Sequence, residues 1–460
     1  MLTKEVIEDI LAKAKALGGD FAEVFIERKT NNGIACEADR IERVVTGIEV
    51  GAGIRVLVGE NTSYGYTNDL SADNLLKIAE TVAKAATGDN TPAGIELIKA
   101  KVQPNSDIKI MPGEVEIDEK VSLVTRANNA ARKMDDRIKQ VTVVYGDVVQ
   151  EVVIANSDGL WIEDQRIRTR FMVNVVAAQG DIIQTGYEAI GGHVGLELFE
   201  ETEPEGVARK AVKRALLMLE AKPAPAGKMT VVMDGEAGGT MIHEACGHGL
   251  EADLVQKQLS VYAGKIGEKV ASELVTVIDD ATIPGKYGSF GVDDEGTQGQ
   301  KTILIENGIL KNYMYDYLAA KKENKISTGN GRRESYQDHP IPRMTNTFIA
   351  AGKTDPREII KSVAKGFYVK AMGGGQVNTT NGDFVFDVKE GYLIENGKIT
   401  IPVRGATLTG NGPEVLQKID MVGNDLGFAI GTCGKDGQGV PVSDAQPTIR
   451  IPNLTVGGLL

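Results

Sequence analysis

The sequence has no continuous apolar run of the roughly 20 residues that a membrane-spanning helix needs. Its first residues also lack the charged and then apolar pattern of a secretory leader. We therefore expect no membrane span and no export signal. Basic residues are in deficit as well, because 51 Lys and Arg stand against 64 Asp and Glu, giving a net charge of −13. Nucleic-acid binding requires a basic surface, so we expect no nucleic-acid partner.

Cysteine and histidine are both scarce. The three cysteines, Cys36, Cys246 and Cys433, are odd in number and far apart, so they do not form a disulfide framework. This usage fits a reducing compartment, and we expect a cytoplasmic protein. Only four histidines are present, yet two of them, His243 and His248, lie close together in the chain.

Glycine, by contrast, is abundant, and its 54 residues predict many tight turns between strands. With 460 residues the chain is too long for one ordinary core. Helix-period segments, strand-like segments and turn signals together predict a multi-domain α+β fold with mainly antiparallel sheets and flanking helices. We expect an N-terminal α+β domain over 1–105, a central α+β domain with a β-meander over 106–222, and a strand-rich C-terminal domain over 223–460.

Short turn signals predict where the strands end. Asn-Gly pairs between apolar runs at 307–308 and 396–397 are strong hairpin signals. Turns are also expected at 31–33 and 146–147, where Asn, Asp and Gly cluster. The proline-bearing segments 91–113 and 221–228 are expected to be linkers.

The segment H-E-A-C-G-H at 243–248 carries the groups that a hydrolytic zinc site needs. Two neutral imidazoles hold the ion, and the adjacent Glu244 takes a proton from water. The spacing is one residue longer than in H-E-x-x-H, so a regular helix would point the two rings roughly 140° apart. A wider, π-type turn would bring them together. We therefore expect a distorted helix in the C-terminal domain, irregular between Ala245 and Gly249, with Gly247 tolerating the distortion.

A catalytic zinc ion usually has three protein ligands and one open position, so a third ligand has to come from elsewhere. Cys433 lies in a glycine-flanked loop, where a thiolate can approach a metal. The residues alone favour Cys433, then Glu251, then His339, with little between them. The remaining histidine, His193, is expected to be structural. The competing interpretation is that the two motif histidines are themselves hydrogen-bonded structural residues.

Longer segments of the chain resemble the TldD/PmbA family, whose members are also called modulators of DNA gyrase. The resemblance extends over essentially the whole chain. It rests on H-E-A-C-G-H-G-L-E-A-D (243–253), P-G-K-Y-G-S-F-G-V-D-D-E-G (284–296), S-T-G-N-G-R-R-E-S-Y (327–336), I-P-R-M-T-N-T (341–347) and G-T-C-G-K-D-G-Q-G-V-P (431–441). The chain is more similar to the TldD branch, which keeps the metal motif, than to the PmbA (TldE) branch, which lacks it.

The resemblance implies that His243, His248 and Cys433 are metal ligands, that Glu244 is the catalytic carboxylate, and that one zinc ion is bound per active chain. It implies a peptidase that cuts unfolded or extended polypeptides. It also implies a dimer, either with a PmbA/TldE-like chain or with a second copy of this chain.

Two other functions are compatible with the sequence. The first is a peptide-binding or regulatory partner protein with a structural zinc site, which a fourth protein ligand such as Glu251 or Cys246 would close. The second is a zinc hydrolase of non-peptide amides or esters, because the metal chemistry is shared. The number of protein ligands around the metal separates a structural site from a catalytic one.

Overall fold

The computed structural model describes residues 2–90, 94–103 and 106–458. It confirms the α+β architecture with mainly antiparallel sheets and flanking helices, because one large sheet lies in each half of the described chain. The expected boundary at 105 and parts of the expected linker 91–113 lie outside the described residues. None of the helices in the described ranges combines the length and the apolar character that a bilayer crossing requires.

The N-terminal sheet consists of seven strands within the described ranges: β1 (Phe21–Glu37), β2 (Arg40–Val58), β3 (Asn61–Thr67), β4 (Ile98–Lys99), β5 (Ile138–Asn156), β6 (Leu160–Gln179) and β7 (Ile182–Gly192). They lie in the order β3-β2-β1-β5-β6-β4, and β7 also pairs with β6. Only the pairing of β4 with β6 is parallel among these described strands. Because β1 pairs with β5, the segments expected to form the N-terminal domain and the central domain share one sheet.

Helices cover one face of this sheet. They are α1 (Lys4–Lys15), α2 (Ala72–Ala85), α3 (Ile117–Arg132), α4 (Leu198–Glu201) and α5 (Pro204–Glu220). On β1, Val24 packs into the core formed with α1 and α2, and Ile34 packs into the core formed with α3 and α5. Side chains alternate along a strand, so the residues between them face the other way. That second face carries Glu23, Arg55 and Arg166, and it packs against the C-terminal half through ion pairs.

The C-terminal half begins with short strands and ends with long ones. Its strands are β8 (Lys222–Pro223), β9 (Gly227–Met233), β10 (Val277–Asp280), β11 (Lys301–Glu306), β12 (Ile309–Leu310), β13 (Gly331–Arg332), β14 (Ile341–Pro342), β15 (Asn346–Ile349), β16 (Lys365–Val377), β17 (Asp383–Glu395), β18 (Lys398–Arg404), β19 (Thr407–Asn411), β20 (Met421–Lys435) and β21 (Gln438–Gly457). The main sheet runs in the order β12-β11-β10-β15-β21-β9-β16-β17-β18-β8, with β19 paired to β17 and β21, and β20 paired to β21. Strands β13 and β14 form a separate pair.

Short helices accompany this sheet: α6 (Thr240–Ile242), α7 (Ala252–Gln256), α8 (Tyr317–Lys322), α9 (Pro356–Lys361) and α10 (Gly412–Lys418). An extensive hydrophobic core lies against the sheet and includes Ile242, Cys246 and Leu250 from the motif segment. The apolar side of the motif helix is therefore anchored in the core, which fixes where its polar side points.

The two Asn-Gly hairpins are confirmed. They join β11 to β12 and β17 to β18. Asn307 and Asn396 have φ of 47° and 50°, in the left-handed region that such tight turns require. Here the local sequence alone decides the structure.

Three other local expectations are wrong. The positions 31–33 and 146–147 are not turns but lie inside β1 and β5, where Gly33 pairs with Gly146. The chain reverses instead at Ala38 and Asp39, which both adopt positive φ. The segment 221–228 is not a free linker, because Lys222–Pro223 pairs with β18 and the chain enters β9 at Gly227. In each case pairing with distant strands overrides a local turn signal.

Candidate metal centre

The motif segment changes its helical form along its length. Helix α6 leads into a π-helix at His243–Gly247, and a 3₁₀ turn follows at His248–Leu250. The wide turn that the H-E-x-x-x-H spacing predicts is therefore present, and it begins earlier than expected, at His243. The ring centroids of His243 and His248 lie 4.9 Å apart, with the two ring planes nearly perpendicular at 86°. The wider turn has brought both rings to the same side of the helix.

Gly247 serves a different purpose from the one expected. Its φ of −51° and ψ of −60° are ordinary helical values that any residue adopts. The requirement is for space, because a Cβ on Gly247 would lie 2.2 Å from Sδ of Met344. The glycine allows the motif helix to pack closely against the segment that follows β14.

Three potential metal donors come together on this side of the helix. Ligand atoms of His243, His248 and Cys433 all lie within 4.8 Å of one another. Cys433 comes from β20, and its Sγ lies 3.5 Å from Nε2 of His248. All three residues are buried or half-buried. The structure thus brings together the three residues that the resemblance implies as ligands.

A carboxylate lies behind each histidine ring. Nδ1 of His243 lies 2.7 Å from Oδ1 of Asp444, and Nδ1 of His248 lies 3.1 Å from Oε2 of Glu251. A carboxylate only accepts, so each Nδ1 carries the proton and donates it. When such a ring is neutral, it presents the lone pair of its Nε2 to the cluster, which is the usual arrangement behind a metal-binding histidine.

The charges around the donors favour the thiolate form of Cys433. Burial disfavours the charged form of His243, but Asp444 and Cys433 together outweigh it and raise the pKa of His243 well above its usual range. Burial also disfavours the charged form of His248, but Glu251 and Cys433 together outweigh it and raise the pKa of His248 to about 9. Against the burial of its own thiol, hydrogen bonds from both histidines lower the pKa of Cys433 to about 5. The thiolate is the form of cysteine that binds metal.

Glu244 lies beside the cluster and is half-buried. Burial raises the pKa of its carboxyl group, against the attraction of His243 and His248. Among the described residues it has no hydrogen-bond donor, whereas the carboxylates of Asp444 and Glu251 are engaged by the histidine rings. Glu244 therefore keeps both oxygens available to another molecule.

The other candidates lie away from the three donors. Cys246 is fully buried in the core, where its Sγ donates to the carbonyl of Ile242 at 3.5 Å and burial raises its pKa. The ring of His339 packs against Tyr64, with centroids 6.2 Å apart. His193 is buried against Ser106 with Nδ1 3.2 Å from its Oγ, and burial lowers its pKa to about 3, as expected of a structural histidine.

Sequence reasoning missed Asp444. It lies 201 positions from His243, so no local spacing links the two. A signal was present in the strand pattern, because Cys433 pairs with Val440 across the β20–β21 hairpin. Val440, Val442 and Asp444 alternate with Pro441 and Ser443, so all three share the face that carries Cys433. A carboxylate on the face that carries Cys433 was a candidate partner for a motif histidine.

Family models match the chain in three consecutive stretches. Residues 22–86 match the first domain of the PmbA/TldA metallopeptidases, residues 110–219 match their central domain, and residues 226–458 match their C-terminal domain. The candidate metal centre lies in the third stretch.

Relatives of similar length carry metalloprotease names. A Metalloprotease TldD homolog of Buchnera aphidicola is 39% identical over 449 residues, covering 95% of this chain and 93% of the relative. A metalloprotease of Methanocaldococcus jannaschii is also 39% identical, over 98% of this chain and 99% of the relative. A Zinc metalloprotease TldD homolog of Saccharolobus solfataricus is 28% identical over 97% and 99% of the two chains.

Solved structures share the fold over nearly the whole chain. A Thermotoga maritima protein, described as a candidate modulator of a DNA gyrase, superposes with a TM-score of 0.81 at 23% identity, covering 99% of this chain and 100% of the other. TldE from Thermococcus kodakarensis superposes with a TM-score of 0.80 at 21% identity, covering 98% and 100%. At these identities the likeness concerns the fold alone.

Proposed function

This chain belongs to the TldD/PmbA family of metallopeptidases, and from that premise we propose that it is a zinc-dependent peptidase acting on unfolded or extended polypeptides. One observation carries the proposal. Three converging donors, His243, His248 and Cys433, stand next to a carboxylate, Glu244, that has no other partner among the described residues.

The donor set fits a zinc ion. Two imidazole nitrogens and one thiolate are ligands that zinc accepts, and three protein ligands are typical of a catalytic zinc. The carboxylates of Asp444 and Glu251 support the fit, because they fix the ring nitrogens that do not face the cluster. A bound zinc ion would supply Lewis acidity, which polarises a peptide carbonyl and makes water more acidic.

Glu244 is proposed to move the protons of the reaction. Its free carboxylate accepts a proton from the attacking water and then donates that proton to the leaving amine. Partial burial supports this role, because it raises the pKa of the Glu244 carboxyl and so brings it closer to the working pH. Asp444 and Glu251 are less suited to this task, because each already accepts a hydrogen bond from a ring nitrogen.

An extended substrate is supported by the strand that carries Cys433. Among the described strands, β20 pairs only with β21, so β20 is an edge strand. An extended peptide can add to such an edge through main-chain hydrogen bonds, which recognise backbone more than side chains. We propose that the substrate lies along this edge, which a folded domain cannot do.

We also propose that the chain acts in the cytoplasm and forms a dimer. Its three cysteines are all free, which supports a reducing compartment. The fold shared with TldE supports pairing with a TldE-like chain, and a second copy of this chain is the alternative partner. Light scattering of the purified chain, alone and mixed with a TldE-like protein, separates the two.

The alternative of a structural zinc site requires a fourth protein ligand. Cys246 and Glu251 were the candidates, but Cys246 donates to a backbone carbonyl and Glu251 lies behind His248. Neither belongs to the cluster of donors. This arrangement favours an open coordination position and hence a catalytic site.

The proposal is tested with Glu244→Ala. We expect this variant to bind zinc as the wild type does and to lose cleavage of an unstructured polypeptide by at least about 100-fold, because general acid–base catalysis contributes about that much. Products are read by mass spectrometry, and small non-peptide amides and esters are included as substrates. Glu236→Ala, a change at an exposed glutamate of the same segment, serves as the control. Cleavage by Glu244→Ala at the wild-type rate would show that the assigned base is wrong.

A further inference from the structure

A cavity separate from the metal centre lies between the two halves of the molecule. It has a volume of about 490 Å³. Its floor is the second face of the N-terminal sheet, from strands β1, β2, β5 and β6, and its roof comes from C-terminal segments around Tyr287, Phe290 and Arg332. We call this space the arginine cavity. Thr432 and Pro441 of the β20–β21 hairpin line it, whereas Cys433 points to the opposite face of that hairpin, towards the metal centre.

Strand alternation explains why arginines gather in this cavity. Arg166, Arg168 and Arg170 occupy every second position of β6, so their side chains leave the same face of the sheet. Arg332 approaches from the C-terminal half, and its guanidinium lies 5.3 Å from the ring centroid of Phe290. The guanidinium of Arg166 lies 5.9 Å from the same ring.

Only one of the buried arginines of β6 has its charge balanced. Arg166 forms ion pairs with Asp164 and Asp294. Arg168 hydrogen-bonds instead to the carbonyl oxygens of Tyr287 and Ser289, at 2.9 and 3.0 Å. It has no carboxylate partner among the described residues.

Arg332, like Arg168, hydrogen-bonds to carbonyl oxygens and not to a carboxylate. It donates to the carbonyl oxygens of Met344 and Pro441, at 2.5 and 2.7 Å, and it too has no carboxylate partner in the described part of the chain. Burial lowers the pKa of Arg168 to about 10, and burial together with the charge of Arg168 lowers the pKa of Arg332 to about 9. Both buried guanidinium groups thus donate to carbonyl oxygens and to no carboxylate among the described residues, which is an unfavourable state for a guanidinium.

The acidic residues that line the cavity are engaged elsewhere. Asp293 accepts hydrogen bonds from the backbone N–H groups of Glu295, Thr297 and Gly331, and burial raises its pKa well above the usual range. Glu334 accepts a hydrogen bond from the backbone N–H of Gly439. Asp294 attracts both Arg168 and Arg332, but its carboxylate is bonded to Arg166 and to the backbone N–H of Arg333. Arg168 and Arg332 therefore have no hydrogen-bonded carboxylate among the described residues.

From this geometry we propose that the arginine cavity binds a carboxylate group, which Arg168 and Arg332 hold against the ring of Phe290. The carboxylate belongs either to a free organic acid or to an acidic side chain of a peptide. Guanidinium groups suit carboxylates because their planar fork matches the two oxygens. The site is separate from the metal centre, and the inference does not depend on the proposed peptidase activity.

The test introduces a competing carboxylate without touching the arginines. Val148 of β5 lines the cavity and pairs directly with Arg168 of β6. Directly paired residues have Cβ atoms about 5 Å apart, so a glutamate at 148 reaches the guanidinium of Arg168. Val148→Gln has the same size without the charge and is the matched control. Arg209→Gln, at an exposed arginine of α5 that does not line the cavity, is a second control.

Binding of glutarate to the zinc-loaded protein is measured by isothermal titration calorimetry. A short peptide containing Glu is compared with its Gln counterpart in the Glu244→Ala background, so that no peptide bond is cut. We expect Val148→Glu to weaken carboxylate binding at least about tenfold, which corresponds to roughly 1.4 kcal/mol. Val148→Gln and Arg209→Gln should stay within about twofold of the parent, a difference well under 1 kcal/mol.

The two sources of the carboxylate give different results. Glutarate binding with this variant pattern supports a free acid as the ligand, and binding of the Glu peptide alone supports a peptide side chain. Equal binding by Val148→Glu and Val148→Gln would place the carboxylate elsewhere, for example on zinc, and would overturn the proposal. The proposal would also be overturned if no carboxylate binds, or if only inorganic phosphate binds. A lower thermal midpoint for Val148→Glu than for Val148→Gln would overturn it as well.

Discussion

The histidine rings of the metal centre are oriented by residues behind them. Asp444 accepts from His243 at 2.7 Å, and Asp444→Asn removes the negative charge from this contact. We expect the affinity for zinc to fall about 10–100-fold, the usual effect of losing such a partner. Competition with a chromophoric chelator measures the change. Asp436→Asn, at the turn between β20 and β21, should bind zinc as the parent does, and an equal loss in both variants would contradict the assigned role of Asp444.

The absorption spectrum of the cobalt-substituted protein identifies the cysteine that binds the metal. Cys433 is 3.5 Å from Nε2 of His248, whereas Cys246 faces the core. The cobalt-substituted protein should therefore show thiolate-to-metal charge-transfer absorption in the near ultraviolet, because cysteine binds such ions as the thiolate. Cys433→Ser should lose this band and Cys246→Ser should keep it. Loss of the band in Cys246→Ser alone would mean that the sulfur has been assigned wrongly.

At the scale of residues, the sequence was sufficient to predict those site residues that lie close together in the chain. His243, Glu244 and His248 were found because one turn of helix carries them. The order of Cys433, Glu251 and His339 stayed open, because the chain direction does not tell which distant side chain returns to the helix. The structure brings Cys433 to the donors and uses Glu251 behind His248.

The motif helix packs against its neighbour without space for a side chain at 247. In Gly247→Ala the new Cβ would overlap Sδ of Met344, and we expect a loss of about 1–3 kcal/mol in the free energy of unfolding. Urea denaturation measures it. Gly47→Ala, where a Cβ meets nothing within 4 Å, is the control and should have little effect.

A double variant tests whether contact with Met344 is the reason that position 247 requires glycine. Gly247→Ala combined with Met344→Ala should cost less than the sum of the two single changes, because the smaller side chain at 344 relieves the overlap. Strict additivity would mean that Gly247 is required for another reason.

At the scale of elements, the outcome depended on how local the controlling interactions are. The Asn-Gly hairpins at 307–308 and 396–397 form as expected, because each turn is decided by its own two residues. Gly33 and Gly146 gave false turn signals, because they lie opposite each other in the middle of β1 and β5. A Cβ on Gly146 would come within 3.4 Å of Nε of Arg170, so this glycine leaves room beside the arginine cavity.

Buried ion pairs join the two halves of the molecule. Arg55 of β2 bridges Glu23 of β1 and Glu295 of the C-terminal half, at 2.9 and 2.6 Å, and Arg333 also reaches Glu23. Arg55→Met leaves the buried Glu295 without its cation and leaves Glu23 with Arg333 alone. We expect a loss of about 3–5 kcal/mol in the free energy of unfolding, measured by urea denaturation.

The control for this change is an arginine at the surface. Arg357→Met removes an exposed pair with Asp355 and should leave the unfolding midpoint nearly unchanged, because solvent screens such pairs. Equal effects of the two variants would show that the buried ion pairs do not hold the halves together.

For the whole molecule, the pattern of elements was sufficient to predict an α+β fold with antiparallel sheets, but not how its segments combine. The division at 105 and 222 stays a prediction. The sequence did not indicate that the first two segments share one sheet, because the pairing of β1 with β5 joins residues more than a hundred positions apart. The charged residues on the second face of that sheet are explained by the ion pairs that they form with the C-terminal half, which covers this face.

The central claim concerns the coordination of one zinc ion, and a crystal structure of the zinc-loaded chain, with anomalous scattering at the zinc edge, tests it most directly. The account predicts a single ion bound by Nε2 of His243, Nε2 of His248 and Sγ of Cys433, with a fourth position that faces Glu244 and holds no protein atom. An ion closed by Cys246 or Glu251 as a fourth protein ligand, or zinc found only away from these three residues, would contradict it.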